Sequence, residues 1–424
     1  MSAQAEDDLR ALAEALADDP QALPPGVELL KRSLVRTVVR QGEIVLKVLH
    51  KRRRKARREA RTLARARARG VPVPELVASG RGWVATRFID ARPAVRDDLD
   101  QILPVVRSMH ARGMLHRDLH TGNILMTEEG PVLIDTQKAR FLPHVPGWQR
   151  DRELGYLAHS LGDPLPEALR SVRFWREQRA QTHWRSRTAR CVTESSGFTA
   201  FEFRGHPGFR RRDVSVDALT AALGGQHPGV LLKQTGRSDL YQTKDWIVKR
   251  HARARAARAA WIGGWGLEVR GIGVARPLAW AGPWIVMEDA GITLTDWVES
   301  QFEHASEAVR AELAHAASQL LVRLHRARVY HPDLKANNIC WRPGRPPALI
   351  DYGHVRFGHE VSRRRRVKNL AQLNAALPDC VPASLREHAL SDYVEQLGRA
   401  DPLPALRDDV VSESLRRSHR WSGC

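Results

Sequence analysis

The chain reads as an α+β protein made of two tandem bilobed domains, each a β-rich small lobe followed by a helical large lobe. Three observations predict this. The length of 424 residues exceeds what one compact core serves. One loop occurs twice, about 215 residues apart: His116-Arg117-Asp118-Leu119-His120-Thr121-Gly122-Asn123 and His331-Pro332-Asp333-Leu334-Lys335-Ala336-Asn337-Asn338. Around both copies, short apolar strands come first and leucine-patterned helices follow, in the same order.

The first 25 residues are acidic and are expected to form a peripheral leader helix. The first domain is expected over 26–190 and the second over 191–424. In the first, strands are expected at 28–40 and 43–49 around the turn Gln41-Gly42. A helix over 50–69 ends at Gly70 with Pro72 and Pro74 beyond it. A strand at 83–89, a helix at 98–112 and a strand at 131–134 complete the frame of the loop. Leu154, Leu157 and Leu161 then mark a further helix. The second domain repeats the series: strands at 230–242, 245–249 and 284–287, helices at 253–263 and 305–326, and a pattern of Leu370, Leu373 and Leu377. The two loops are offset by 215 residues, the strand lysines Lys47 and Lys249 by 202. The second copy therefore carries roughly 13 more residues between its lobes. A period this long means a duplicated domain, not a solenoid.

Each loop leads to an Asp that closes an apolar strand, Pro131-Val132-Leu133-Ile134-Asp135 and Ala348-Leu349-Ile350-Asp351. Asp, then Asn five residues on, then Asp is the order of groups that phosphoryl transfer from ATP requires: a carboxylate to orient a hydroxyl, and two oxygen ligands for Mg2+.

With these motifs both halves resemble the protein-kinase superfamily, and more closely the bacterial lipopolysaccharide core kinases that phosphorylate Kdo or heptose sugars. The resemblance spans most of residues 26–190 and 205–385. It implies that Asp118 and Asp333 are the catalytic bases, with Lys335 near the transferred phosphate. Asn123, Asp135, Asn338 and Asp351 become the Mg2+ ligands, and Lys47 and Lys249 the lysines that hold the ATP phosphates. Glu59 is the expected helix partner of Lys47. The second copy has Ala260 in that place, and Glu268 lies beyond Gly263, Gly264 and Gly266. Gly236 and Ser238 are placed to cover phosphates, whereas the first copy has no glycine in Arg32-Ser33-Leu34-Val35-Arg36. Neither metal strand continues into D-F-G.

The segment after each metal-strand Asp is short and has no A-P-E, which argues for a sugar-like acceptor on an anionic glycolipid or lipopolysaccharide rather than a docked peptide. Two alternatives stay open: a Ser/Thr protein kinase, and a kinase/pseudokinase tandem in which one domain regulates the other.

Composition limits the setting. Hydrophobic content of 42% and charged content of 27% are ordinary for a globular protein. No secretory leader and no membrane-spanning stretch are expected. Cys191, Cys340, Cys380 and Cys424 have no metal or disulfide spacing, which fits a reducing cytoplasm. The net charge of +20 includes eleven Lys or Arg among residues 50–69 and the run Arg363 to Arg366. Such runs favour anionic partners, so a peripheral place at the inner membrane surface is one expectation. Nucleic acid is not expected, because no base-reading motif accompanies the charge.

Overall fold

The computed structural model describes residues 3–417 except 22, 34, 52, 53, 225–227, 399 and 400. The chain divides into two compact units, Met1–Thr182 and His183–Cys424. Cys424 lies outside the described residues.

The first unit opens with helix α1 (Ala3–Asp18) and a five-stranded antiparallel sheet. Its spatial order is Glu28–Ser33, Arg36–Gln41, Ile44–Leu49, Trp83–Arg87, Leu76–Gly80. Alternation along a strand gives the sheet two faces. Val39, Leu46, Val48, Trp83 and Ala85 share one face, against which α1 lays Leu9, Leu12, Ala13 and Leu16. Lys47, between Leu46 and Val48, therefore faces the other side, where α2 (Arg54–Ala68) packs. This helix carries most of the first basic run. It buries a narrow stripe of Ala56, Ala60, Leu63 and Ala66 at helical spacing, which leaves most of its arginines outside. The large lobe contributes α3 (Leu99–Ala111), the hairpin Ile124–Thr127/Gly130–Leu133, and α4 (Gly147–Ser160). Ile102, Val106, Met109, Leu119, Ile124, Leu133 and Leu157 form its core. The chain passes into the second unit within α5 (Arg173–Thr188).

The second unit adds a hairpin, Phe198–Phe203 with His206–Arg211, beside the strand Pro277–Ala281. Its sheet therefore has seven strands. Helix α6 (Val216–Leu223) buries Leu219 and Leu223 against Phe201, Tyr241, Val248 and Val286. It covers the same sheet face that α1 covers in the first unit. Helix α7 (Ala254–Glu268) lies on the other face. The large lobe holds α8 (Leu294–Gln301), α9 (Glu307–Arg326), α10 (Arg363–Ala376), α11 (Ala383–Leu397) and α12 (Leu403–Leu415).

Three expected elements differ from those observed. The strand expected at 28–40 is two strands, Glu28–Ser33 and Arg36–Gln41, joined by a tight turn. The strand expected at 230–242 is likewise Val230–Gln234 and Ser238–Gln242. In each turn a hydroxyl caps the bend: Ser33 Oγ accepts from Arg36 N at 3.2 Å, and Thr235 Oγ1 accepts from Ser238 N at 3.0 Å. The helix expected to stop at 263 runs on through three glycines to Glu268. Tertiary packing overrides their weak helix propensity. A Cβ on Gly263 would lie 2.2 Å from the Tyr352 carbonyl oxygen, one on Gly264 2.7 Å from the Tyr352 ring, and one on Gly266 2.7 Å from Phe357. The glycines let α7 lie directly on the segment that follows Asp351.

Gly263→Ala is therefore expected to lower stability by about 1–3 kcal/mol, although alanine is the better helix former. Thermal melting checks this. An unchanged or raised melting temperature would show that the close approach does not constrain the helix.

Candidate active sites

In the first unit three parts of the chain meet at Lys47. Its Nζ donates to Glu59 Oε1 at 2.9 Å and to Asp135 Oδ1 at 2.8 Å. The second Asp135 oxygen accepts from Arg36 at 3.0 Å, and Gln137 donates to Oδ1 at 3.0 Å. Burial alone would raise the pKa of Asp135, but Lys47 and Arg36 outweigh it and hold the carboxyl well below the usual carboxylate range. Glu59 is pushed up by burial, with Lys47 opposing. The loop is tied to this strand by backbone: His116 Nε2 meets the Ile134 carbonyl at 2.8 Å, and Ile134 N donates to Asn123 O at 3.0 Å. Asn123 Nδ2 donates to the Asp118 carbonyl at 2.9 Å, and Lys138 Nζ reaches Asp118 Oδ2 at 2.7 Å.

The second unit repeats the frame with looser charge pairing. Lys249 Nζ lies 3.5 Å from Asp351 Oδ1. The Asp351 side chain is 43% exposed, against 15% for Asp135. Glu268 does not reach Lys249; it forms a two-pronged pair with Arg211 of the added hairpin, both contacts at 2.8 Å. Ala260, in the place of Glu59, instead faces Gly353, where an added Cβ would lie 3.7 Å from the Ala260 methyl. Asn338 Nδ2 donates to the Asp333 carbonyl at 2.9 Å, and Lys335 Nζ lies 3.0 Å from Asp333 Oδ1. Gln372 and Asn369 of α10 brace the loop through the carbonyls of Pro332 and His331. Tyr352 is fully buried beneath Gly264 and donates to Ala275 O at 2.8 Å. It anchors the residue after Asp351.

The two loops also differ in backbone. Arg117 and Asp135 have φ of +65° and +59°, in the left-handed region. Neither Pro332 nor Asp351 does, and proline is confined to negative φ. In step with this, His331 Nε2 bonds the carbonyl of Asp351 itself at 2.6 Å, one residue later than the bond of His116.

The turns carrying Arg36 and Ser238 correspond position by position. His50 N bonds Val35 O at 3.0 Å, and Ala252 N bonds Arg237 O at 2.9 Å. Gly236 has no positive φ, and a Cβ there would meet open space, so the turn does not require glycine. Leu34, which stands opposite, lies outside the described residues. The member of the Lys47–Asp135 cluster that sequence reasoning missed is Arg36. It sits in an ordinary strand pattern, and only its alignment with Ser238 marks it.

The second unit fits a hard cation such as Mg2+. With its amide nitrogen committed to Asp333, Asn338 retains its amide oxygen, and Asp351 offers a part-exposed carboxylate. In the first unit Asn123 is arranged alike, but both Asp135 oxygens are engaged by cations of the chain, so its residues as arranged do not fit a divalent ion.

The Arg363 to Arg366 run is only partly free to meet an anionic partner. Arg366 is buried and pairs with Asp401 at 2.5 Å, and Arg363 pairs with Asp401 and Asp409. No helix among the described residues is long and apolar enough to cross a membrane.

Residues 284–391 match the model of the lipopolysaccharide kinase (Kdo/WaaP) family, and residues 36–144 match that of the RIO domain. The 3-deoxy-D-manno-octulosonic acid kinase of Xanthomonas oryzae pv. oryzae is 37% identical over 105 residues, 24% of this chain and 41% of the relative. That of Xanthomonas axonopodis pv. citri is 37% identical over 98 residues, 23% and 38% of the two chains. The chain thus spans about two fifths of the length of the curated relatives it matches. Among solved structures, a choline/ethanolamine kinase family protein from Mesorhizobium loti is 17% identical at a TM-score of 0.30, covering 42% of this chain and 80% of that one. The Rio2 kinase of Chaetomium thermophilum in an ADP/Mg2+-phosphoaspartate complex is 19% identical at 0.27, covering 40% and 66%.

One titration should report on the second site. His251 occupies the strand position of Leu49 in the first unit, beside Lys249, Asp351 and His354. Its Nε2 is buried without a hydrogen-bond partner among the described residues. Burial, with Lys249 adding to it, pushes its pKa down to about 4. The folded state thus keeps the ring neutral where the unfolded chain takes up a proton. This stabilisation is complete above the unfolded value near 6.5 and is lost as pH falls toward 4. Denaturant midpoints should decline over that window, and His251→Leu should flatten the decline. Identical pH profiles for the two proteins would remove His251 from the account.

Proposed function

We propose that the chain carries two tandem protein-kinase-like domains: each unit sets a β-rich lobe before a helical one, and residues 36–144 and 284–391 match the RIO-domain and the lipopolysaccharide kinase (Kdo/WaaP) models. We propose that it transfers the γ-phosphate of ATP to a sugar hydroxyl of a lipopolysaccharide or related glycolipid core, and that the second unit performs the chemistry. The observation carrying this reading is that Asp333, Asn338 and Asp351 lie within the segment resembling Kdo kinases, with Asp351 open to solvent and Lys249 beside it.

In this reading Asp333 orients the acceptor hydroxyl and takes its proton while the oxygen attacks the γ-phosphorus. The bond to the bridging oxygen breaks and ADP departs. Lys249 holds the α/β-phosphates, Lys335 meets the transferred group, and the turn of Gly236 and Ser238 covers the nucleotide. Mg2+, held by Asn338 and Asp351, would neutralise the developing phosphate charge. The brace of Gln372 and Asn369 on the loop carbonyls keeps Asp333 in place through the reaction. The exposed basic face of α2 suits an anionic lipid surface, which would put the protein at the inner face of the membrane. A protein hydroxyl as acceptor is the weaker alternative, because the segment after Asp351 is short.

The test supplies labelled ATP with deacylated core glycolipid or a generic protein acceptor. Label is expected in the glycan, and Asp333→Asn is expected to reduce it by about 10²–10⁴-fold. Asp118→Asn should have a much smaller effect. Transfer to protein alone would overturn the sugar assignment. Loss on Asp118→Asn but not on Asp333→Asn would move the chemistry to the first unit.

A further inference from the structure

We propose that the first unit is a nucleoside-triphosphate site that needs no divalent cation, with the Arg36 guanidinium taking the bridging position between Asp135 and the phosphates. This rests on the reading that both units are built to bind ATP, and it assigns them different ways of doing so.

The observations are a matched pair. The turns at 33–36 and 235–238 have the same hydroxyl cap and the same backbone bond to the following strand. With the cap and the strand bond shared, the difference that bears on the metal-strand Asp is Arg36 against Ser238. In the second unit that position presents a hydroxyl, and among the described residues the Asp351 carboxylate has Lys249, at 3.5 Å, as its ion-pair partner. In the first, Arg36 reaches Asp135 Oδ2 at 3.0 Å and both side chains are largely buried, 20% and 15% exposed. Lys47 takes the other oxygen.

Charge makes the consequence concrete. The first cluster holds two cations, Arg36 and Lys47, and two carboxylates, Glu59 and Asp135. It is neutral as it stands, and a divalent ion could reach Asp135 only by displacing a guanidinium from a low-dielectric setting. A guanidinium has five donors in a planar fork matched to phosphate oxygens. Only one contact is spent on Asp135. The rest can meet an incoming phosphate while Asp135 keeps the group aimed. The competing account is that Arg36 only fills an empty site and swings aside when metal-nucleotide arrives.

The experiment uses the full chain carrying Lys249→Met, which weakens the second site, and follows fluorescent mant-ATP by titration in EDTA and in excess Mg2+. Binding in EDTA is expected to be about as tight as in Mg2+. Arg36→Ser should weaken EDTA binding by about tenfold or more, the worth of a charged hydrogen bond, with Mg2+ restoring part of it. Arg36→Lys keeps the charge but not the fork. It should also weaken EDTA binding, and it gives the answer if the serine variant melts early. No binding in EDTA overturns the proposal, as does an unchanged response to EDTA in both variants. Because the readout is binding, failure here is separable from failure of the transferase reading. Sugar transfer without EDTA-resistant binding removes only this inference, and EDTA-resistant binding without sugar transfer removes only the other.

Discussion

The first unit is organised by one largely buried ammonium group. Lys47 projects from the middle of a sheet and ends within 3 Å of two carboxylates, one on a helix of the small lobe and one on the large lobe. A charge removed from water needs near-complete compensation, so the sheet, α2 and the strand ending at Asp135 must meet in one arrangement. Pairing of this kind contributes little net stability, because desolvation offsets attraction. What it fixes is geometry: removing any one partner leaves an uncompensated charge in the interior.

The second unit solves the same problem without the charge. Its helix has Ala260 where the first has Glu59, and it seats itself by contact, with three glycines bringing α7 onto the backbone of Tyr352. The acid that sequence reading considered for Lys249, Glu268, is spent on Arg211 of a hairpin the first unit lacks. Contact therefore replaces an ion pair as the device that positions the helix. The lysine and Asp351 are left loosely paired, with Asp351 part-exposed, which suits the proposed metal and nucleotide site.

Much of this was legible in the chain. The doubled Asp–Asn–Asp order, the strand lysines and the leucine patterns are local signals with fixed spacing, and fixed spacing survives in sequence. The lobes follow from them. What escaped were relations between distant residues. Arg36 and Asp135 are 99 positions apart, and an arginine in a strand gives no hint of its partner. The run through Gly263, Gly264 and Gly266 looked like a helix end because propensity is local, whereas the contact that keeps it helical comes from Tyr352. The hairpin at 198–211 and helix α6 went unread because the motifs that flagged the repeat begin only after them. Yet α6 repeats the role of α1, so the duplicated module starts earlier than its catalytic signature.

The left-handed backbone at Arg117 and Asp135 carries a historical consequence. Pro332 cannot adopt the angle that Arg117 holds, and the histidine of each loop has shifted its bond by one carbonyl to match. These differences form a set: residue identity, two torsion angles and one hydrogen-bond register change together. Proline at position 117 would force the backbone out of its left-handed angle, whereas arginine at 332 meets no such bar. The barrier is therefore one-sided: the first loop cannot take the proline of the second, whereas the torsion angles leave the second open to the arginine of the first.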